Sequence, residues 1–266
     1  MRFADGLLVA ALLMTGNAMA DDSILEELAP TGKLRVAIAV GPSPSALFTV
    51  RDAASGQPRG VAVDLGTALA KKLGVPVEFI QYQASGEITD AADKGEWDVS
   101  FMPVDDERAK RVAFGPAYHL LQSTYLVAPG SPIQNVVEVD RTGIRVAGVD
   151  NTVTFRASNR ASKNAMHVGV AAPSEAVELM RAGKADAIAL SRESLSGIVG
   201  KLPGARVLDG GFLNSVTAIA VPKDKPAALA YAATFLKDAK ATGLVRRAFD
   251  DIGLKDAVVA PADCRR

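Results

Sequence analysis

Apolar and polar residues alternate over short stretches of this chain, and the stretches are followed by residues with a helical repeat. Leu34–Ile38 places an apolar side chain at every second position, which predicts a β-strand. Further on, Leu65, Leu69 and Leu73 share one face of a helix. Gly74 follows at the position where a helix often ends, because glycine adopts the left-handed conformation without a steric penalty. The opening third therefore predicts a strand followed by a helix packed against a core.

The same alternation of strands and helices continues to the end of the chain. Further strands are predicted at Val77–Tyr82, Trp97–Phe101, Ile144–Val149 and Ala187–Leu190. Further helices are predicted at Glu175–Ala182 (with Ser174 as its cap), Ala227–Ala241 and Leu244–Asp251. Strands that alternate with helices are typical of an α/β protein with largely parallel sheets. Two such series are separated by residues 118–132, and an extended run at Val216–Pro222 precedes the last helices, so we expect two lobes connected by two crossings.

Composition narrows the possible functions. The chain has 266 residues, 48% of them hydrophobic, with 30 Lys and Arg against 30 Asp and Glu. This balance does not favour a partner such as nucleic acid, whose binding depends on phosphate neutralisation. The one cysteine, Cys264, excludes an internal disulfide, and the two histidines, His119 and His167, offer little for a metal site.

The first twenty residues have the organisation of a secretory signal peptide. Arg2 is followed by an apolar run from Gly6 to Gly16 and by a small-residue ending at Ala18–Ala20. A run of this length is too short to cross a bilayer, which takes about 20 apolar residues. We therefore expect cleavage after Ala20 and a periplasmic mature protein.

No motif of a familiar catalytic or cofactor site occurs in the chain. The G-x-S-x-G, H-E-x-x-H, P-loop and G-x-G-x-x-G patterns are absent from the sequence. Neither histidine belongs to a recognisable catalytic signature, so the sequence predicts no enzyme activity, no cofactor and no metal.

Several segments, taken in order, carry a resemblance to a known family. The most specific is Asp106–Tyr118; the others are Lys33–Ile38, Gly60–Leu65, Gly95–Asp98, Val146–Thr152, Gly183–Ala187 and Thr242–Leu244. Together they make the chain similar to the periplasmic solute-binding proteins of ABC importers, in the family typified by polar amino acid binders (family 3). The resemblance extends from about Leu34 to Leu254.

The resemblance implies a type II fold of two lobes that close on a ligand by a hinge motion. Residues 21–118 would form the first part of lobe 1, residues 119–217 lobe 2, and residues 218–266 the hinge return and the rest of lobe 1. It also implies an inner-membrane ABC permease as partner and a monomeric state.

The resemblance also carries over ligand-binding roles, residue by residue. Arg108 lies where the family's arginine binds a ligand carboxylate, for which the two parallel bonds of a guanidinium are suited. The competing interpretation is a surface arginine paired with Asp105 or Asp106. Thr152 and Val153 match the loop that opens a helix of lobe 2, where free backbone N–H groups face an anion; Thr152 could equally be a plain helix cap.

Other matching positions depart from the family pattern. The first-lobe loop that normally offers hydroxyls contains Phe101, Met102 and Pro103, and is about two residues short. Ser45 lies in the segment where the family has a covering aromatic, and Phe48 could partly replace it. The position of the acidic residue that normally pairs with a ligand ammonium is occupied by Ser191.

These departures predict a small anionic ligand with an apolar body, an organic acid in preference to an α-amino acid, because a buried ammonium without a partner is costly. Glu193 could replace the missing acid if the turn bends differently. Arg156 and Arg192 could add a second anion contact, although solvated helix arginines are the more common case. Two alternatives stay open: a cleft enzyme of cyclohexadienyl dehydratase type with Glu193 as its acid, and a soluble receptor domain for a membrane sensor.

Overall fold

A computed structural model describes residues 22–40, 49–255, 257–261 and 264. Its helices are α1 (Asp22–Leu28), α2 (Val61–Leu73), α3 (Ser85–Asp90), α4 (Val153–Ala161), α5 (Pro173–Arg181), α6 (Arg192–Ile198), α7 (Pro226–Ala241) and α8 (Leu244–Asp251). Its strands are β1 (Leu34–Ala39), β2 (Thr49–Arg51), β3 (Pro58–Gly60), β4 (Val77–Tyr82), β5 (Val99–Pro103), β6 (Val112–Val127), β7 (Arg145–Val149), β8 (Met166–Val170), β9 (Ala187–Ser191), β10 (Arg206–Val207) and β11 (Leu213–Pro222). The α/β class predicted from the sequence is confirmed.

A continuous sheet joins the two halves of the molecule. Its order is β4-β1-β5-β11-β6-β9-β7-β8, with β10 also paired to β6. At one end of the sheet, β4, β1 and β5 are parallel to one another, and at the other end β9, β7 and β8 are parallel to one another. Between them, β11 pairs antiparallel with both β5 and β6. The long strands β6 and β11 are thus the two chain crossings, and we call them the hinge strands. The domain boundaries expected at 118/119 and 217/218 fall inside them and stay a prediction.

The first lobe is built on both faces of β1, β4 and β5. Val36 and Ile38 point to a core shared with α2, α7 and α8, while Ala37 and Ala39 face a smaller cluster around Trp97. This alternation places the large side chains of β1 under the helices and the small ones opposite, as a pleated strand requires.

Helix α2 packs against the core of the first lobe. Leu65 and Leu69 are fully buried, and Leu73 nearly so, along the face that the helical repeat predicted. Gly74 ends the helix in the left-handed conformation at φ 74°, and backbone N–H groups bond back to the carbonyls of Ala70 and Lys71.

Helix α5 of the second lobe starts at Pro173 with Ala172 as its cap, so the prediction of Ser174 as cap is wrong. Proline suits a first helical position because its missing N–H is not needed there.

The second lobe repeats one device of the first. In lobe 1, Arg35 at the start of β1 makes a two-pronged ion pair with Asp98, at 3.0 and 2.6 Å. In lobe 2, Arg145 at the start of β7 does the same with Asp186, both bonds at 2.8 Å. Each aspartate also accepts the backbone N–H of its arginine. Each ion pair joins two adjacent parallel strands at their ends away from the hinge. It thereby fixes the register of those two strands within its own lobe.

The C-terminal segment braces the hinge. Leu120 donates its backbone N–H to Val258, and Ala260 donates to Tyr118, at 3.0 and 2.9 Å. These bonds occupy part of the free edge of β6 beyond its pairing with β9. In the described residues no helix is long and apolar enough to cross a membrane.

Candidate functional site

Arg108 lies at the contact between the two lobes and is 1% exposed. It follows β5 in a single helical turn, Arg108–Lys110, and Oδ1 of Asp105, which precedes this turn, accepts the Arg108 N–H at 2.9 Å. The interpretation of Arg108 as a surface arginine is therefore wrong. Its side chain turns inward, where burial lowers the pKa of the guanidinium to about 10.

The partners of the Arg108 guanidinium are neutral oxygen atoms. It donates to the Ser85 hydroxyl at 2.7 Å, to the Pro103 carbonyl at 3.2 Å and to the Asn151 carbonyl at 3.5 Å. Within the described part of the chain, its Nε has no hydrogen-bond partner and no carboxylate forms an ion pair with this guanidinium. A buried charge is normally paired with an opposite charge. The geometry thus presents a cation that lacks an anion.

Asn151 brings the second lobe to this point. It has φ 56°, the left-handed conformation that asparagine tolerates better than most residues, in the turn from β7 to α4. This turn directs its carbonyl at Arg108. On the facing side, a Cβ added to Gly86 would lie 2.5 Å from the Asn151 Cβ, so the two lobes touch here. We call the region between the two lobes at this point the cleft. Its lobe 1 side consists of residues 85–86 and 103–108, and its lobe 2 side of residues 151–156 and 191–193.

The start of α4 has the structure expected of an anion-binding helix end. Thr152 is the N-cap: its hydroxyl accepts the Phe155 N–H at 3.1 Å and donates to the Val149 carbonyl at 2.7 Å. Val153, the first residue of the helix, is 2% exposed. The first N–H groups of a helix have no partner within it, and Val153 and Thr154 hold these positions in α4. The cap role of Thr152 is thus present, and its ligand-binding role stays a prediction.

Ser191 caps helix α6 of the second lobe. Its hydroxyl accepts the Ser194 N–H at 3.2 Å and donates to the Ser194 hydroxyl at 2.8 Å. The side chain is neutral and 3% exposed, and both of these bonds are local. It therefore supplies no negative charge for a ligand ammonium.

The other predicted contact residues lie in β5 or outside the described residues. Phe101 is fully buried in the core of lobe 1, with its ring edge-on to Tyr118 at 5.9 Å. Met102 is also fully buried, in the cluster around Trp97 on the opposite face of the sheet. Pro103 is the member of this segment that bonds to Arg108. Ser45 and Phe48 fall outside the described part of the chain.

Arg156 and Arg192 differ from the solvated arginines expected from the sequence. Arg156 extends from α4 to Asp105 of the first lobe, with Nε 2.9 Å from Oδ2. Arg192 is bonded within the second lobe, to Gln122 at 2.7 Å and to the Leu208 carbonyl at 3.1 Å. Both arginines thus lie in the cleft: Arg156 bonds across it to the first lobe, whereas the bonds of Arg192 stay on the second-lobe side.

A cavity of about 1,040 Å³ lies beside the hinge strands, next to the loop that carries Arg108. It is bounded by residues 104–107 of the first lobe, by 120–122 and 214–216 of the hinge strands, and by Arg192 and Glu193 of the second. Glu193 Oε1 lies 3.3 Å from His119 Nε2, and its Oε2 is buried without a hydrogen-bond partner among the described residues. Arg108 itself does not line this cavity, whereas the three residues that precede it in sequence do.

The family model for bacterial extracellular solute-binding proteins, family 3, matches residues 37–252 of this sequence. The chain belongs to this family. The match includes both hinge strands, Arg108 and the whole second lobe.

Individual relatives agree with that assignment. The glutamine-binding protein of Geobacillus stearothermophilus is 25% identical over 200 residues, which are 73% of this chain and 74% of the relative. The crystal structure of an ancestral amino acid-binding protein, a precursor of cyclohexadienyl dehydratase, is 26% identical with a TM-score of 0.74, covering 85% of this chain and 98% of that one. A mutant of ArgBP from T. maritima has a TM-score of 0.75 at 23% identity, covering 86% and 98%. These structures support the two-lobed fold.

One part of this family 3 site was missed by the sequence reasoning. The ion pair between Asp105 and Arg156 joins residues 51 positions apart in different lobes. Its sequence signal is only an acidic residue before the Arg108 turn and a basic residue on the first turn of α4. Neither pattern indicates a partner by itself.

Proposed function

We propose that this protein is the substrate-binding component of an ABC uptake system, whose cleft closes around a small solute bearing a carboxylate. The proposal rests on Arg108, a fully buried guanidinium with only neutral hydrogen-bond partners among the described residues. A ligand carboxylate accepts two charge-assisted bonds from such a group. It would replace the long 3.5 Å bond to Asn151 and engage the free Nε.

An organic acid fits the charged and polar groups of the cleft better than an α-amino acid does. The ammonium of an amino acid needs a buried anion or several acceptors to replace its lost hydration. Ser191 offers neither, because its hydroxyl is engaged with Ser194. The nearby carboxylate of Glu193 contacts His119 through Oε1, so an ammonium would have to reach its buried Oε2. The name of the glutamine-binding relative makes amino acids the competing ligand class.

Membership of the family supports two further parts of the proposal. The mature protein works outside the cytoplasm, in the periplasm, after removal of residues 1–20, which lie outside the described part of the chain. As a monomer, it presents its closed form to a permease of the inner membrane.

Thermal unfolding with a panel of ligands tests the proposal. Small monocarboxylic acids should raise the Tm by several degrees at saturating concentration, because a ligand at 1,000 times its Kd stabilises the native state by about 4 kcal/mol. The methyl esters of the same acids are the matched controls and should have no effect. Equal shifts with acid and ester, or shifts with α-amino acids alone, would overturn the proposed ligand class.

A second candidate function is supported by Glu193. Its half-buried carboxyl lines the cavity 3.3 Å from His119, the placement needed for a general acid in a cleft enzyme. The ancestral relative shows that dehydratases arise from this family. Incubation with prephenate or arogenate distinguishes the two: an enzyme consumes many equivalents of substrate, and Glu193→Gln abolishes that turnover.

A further inference from the structure

Arg156 crosses the cleft to a carboxylate of the other lobe. Its Nε and one terminal nitrogen both donate to Oδ2 of Asp105. The side chains are 26% and 13% exposed, so the pair is largely shielded from solvent. It is formed between helix α4 of lobe 2 and the loop after β5 of lobe 1.

Asp105 is held from a second direction by Arg108. Its other oxygen, Oδ1, accepts the Arg108 backbone N–H at 2.9 Å. The Arg108 guanidinium reaches the Asn151 carbonyl, in the turn that leads into α4 and therefore to Arg156. Two guanidinium groups and one carboxylate thus converge on the same part of the cleft.

The charges at this point do not cancel. The positive charge of Arg156 is near enough to lower the pKa of Arg108, and the negative charge of Asp105 near enough to raise it. The negative charge of Asp90 also raises the pKa of Arg108. Asp90 bonds to Arg111 and Asp105 to Arg156, so Arg108 is left with a positive charge that no carboxylate bonded to its side chain compensates. A single carboxylate on Arg108 makes the cluster neutral. A second negative charge beside it would meet Asp105 instead of a free cation, and unpaired like charges in a shielded site are unfavourable.

We infer that Asp105 determines ligand charge: by occupying Arg156, it restricts the cleft to ligands with one negative charge and excludes dianions such as dicarboxylates. This inference rests on the proposed function, because it assumes that Arg108 binds the ligand carboxylate. Within that function, the ligand is a monocarboxylate whose remaining groups are neutral, and Asp105 is the residue that determines this preference.

Asp105→Asn tests the inference with little change in shape. The asparagine oxygen still accepts one N–H group, but Arg156 is then without a charged partner. The probes are isosteric pairs that differ by one charge: succinamate with succinate, and glutaramate with glutarate. In the wild type, isothermal titration should give the monoamide a Kd at least about tenfold lower than that of the diacid. In Asp105→Asn, that preference should fall at least about tenfold or reverse.

The double variant Asp105→Asn/Arg156→Gln removes the freed cation and should restore the preference for the monoamide. Arg156→Gln alone leaves Asp105 unpaired beside Arg108, so it should weaken binding of the monoamide at least about tenfold. Arg156→Gln keeps the test decisive if Asp105→Asn does not fold, as judged by circular dichroism and Tm.

The outcomes separate the two claims. An unchanged ratio of diacid to monoamide in Asp105→Asn, with binding still dependent on Arg108, would overturn the role of Asp105 and leave the proposed function standing. Unchanged monoamide binding in Arg156→Gln would overturn it as well. Binding of neither member of either pair to the wild type, together with an absence of shifts for the acid panel, would overturn both.

Discussion

Arg108 and Asn151 are joined across the cleft by a hydrogen bond from the guanidinium to the backbone carbonyl, 3.5 Å long. It links the residue that we propose binds the ligand carboxylate to the turn that starts helix α4 of the second lobe. This bond and the close approach of Gly86 to Asn151 therefore place the two lobes in contact beside Arg108.

Gly86→Ala should hold the lobes apart without harming the fold. The new Cβ would lie 2.5 Å from the Asn151 Cβ and 3.0 Å from its carbonyl oxygen. Alanine is a better helix former than glycine, so α3 itself should tolerate it. We expect a larger radius of gyration by small-angle X-ray scattering and a ligand affinity at least about tenfold lower. Gly200→Ala is the matched control, because nothing lies within 4 Å of its added Cβ. Identical scattering and affinity for the two variants would contradict a steric contact between the lobes at Gly86.

Ser191→Asp should make α-amino acids better ligands. Aspartate caps a helix as well as serine does, and it adds the negative charge that a ligand ammonium needs. We expect the affinity for norvaline relative to pentanoate to rise at least about tenfold. Ser191→Asn, which caps but carries no charge, should leave this ratio as in the wild type. If aspartate and asparagine give the same ratio, the missing acid is not the reason for the proposed ligand preference.

The two repeated ion pairs should differ in their effect on stability. Asp98 is fully buried and Arg35 is 16% exposed, whereas Asp186 and Arg145 are 33% and 36% exposed. Asp98→Ala leaves a shielded arginine unpaired and should cost about 3–5 kcal/mol. Asp186→Ala should cost about 1 kcal/mol or less, because solvent screens that pair. Urea unfolding measures both, and equal losses would show that burial is not what separates the pairs.

Asp64→Asn should stabilise the protein at neutral pH. Burial in α2 and the nearby negative charge of Asp251 raise the pKa of Asp64 to about 6. Between its unfolded pKa near 3.8 and this value, the folded state binds more protons than the unfolded state, so stability falls as pH rises through that window. The variant should therefore have the higher Tm at about pH 8 and no advantage at about pH 4. The exposed Asp209→Asn is the control; a benefit of Asp64→Asn that does not depend on pH would contradict the raised pKa as its cause.

The sequence predicted short, regular elements well and the hinge less well. β4 and α8 have the predicted bounds, because their apolar residues follow one clear period. The strand predicted at Trp97–Phe101 instead runs over Val99–Pro103. β6 was not predicted as a strand, since it contains Gly115 and Pro116 and is buried on both faces over much of its length, which removes the alternating signal.

The candidate site was predicted only in part. Arg108 could be singled out because its motif is local in sequence. The inward direction of its side chain and its contact with Asn151 depend on how the two lobes meet. The same holds for Asp105 and Arg156, whose pairing is set by tertiary structure. Charge patterns along one helix or loop do not contain that information.

The most direct test of the central claim is isothermal titration of wild type and Arg108→Lys with the same small monocarboxylic acids. Lysine keeps the charge but cannot make two parallel bonds to a carboxylate. We predict measurable binding to the wild type and at least about tenfold weaker binding to the variant, with both proteins folded at the temperature of the titration. Equal affinity in the two proteins would contradict the assignment of Arg108 as the carboxylate-binding residue.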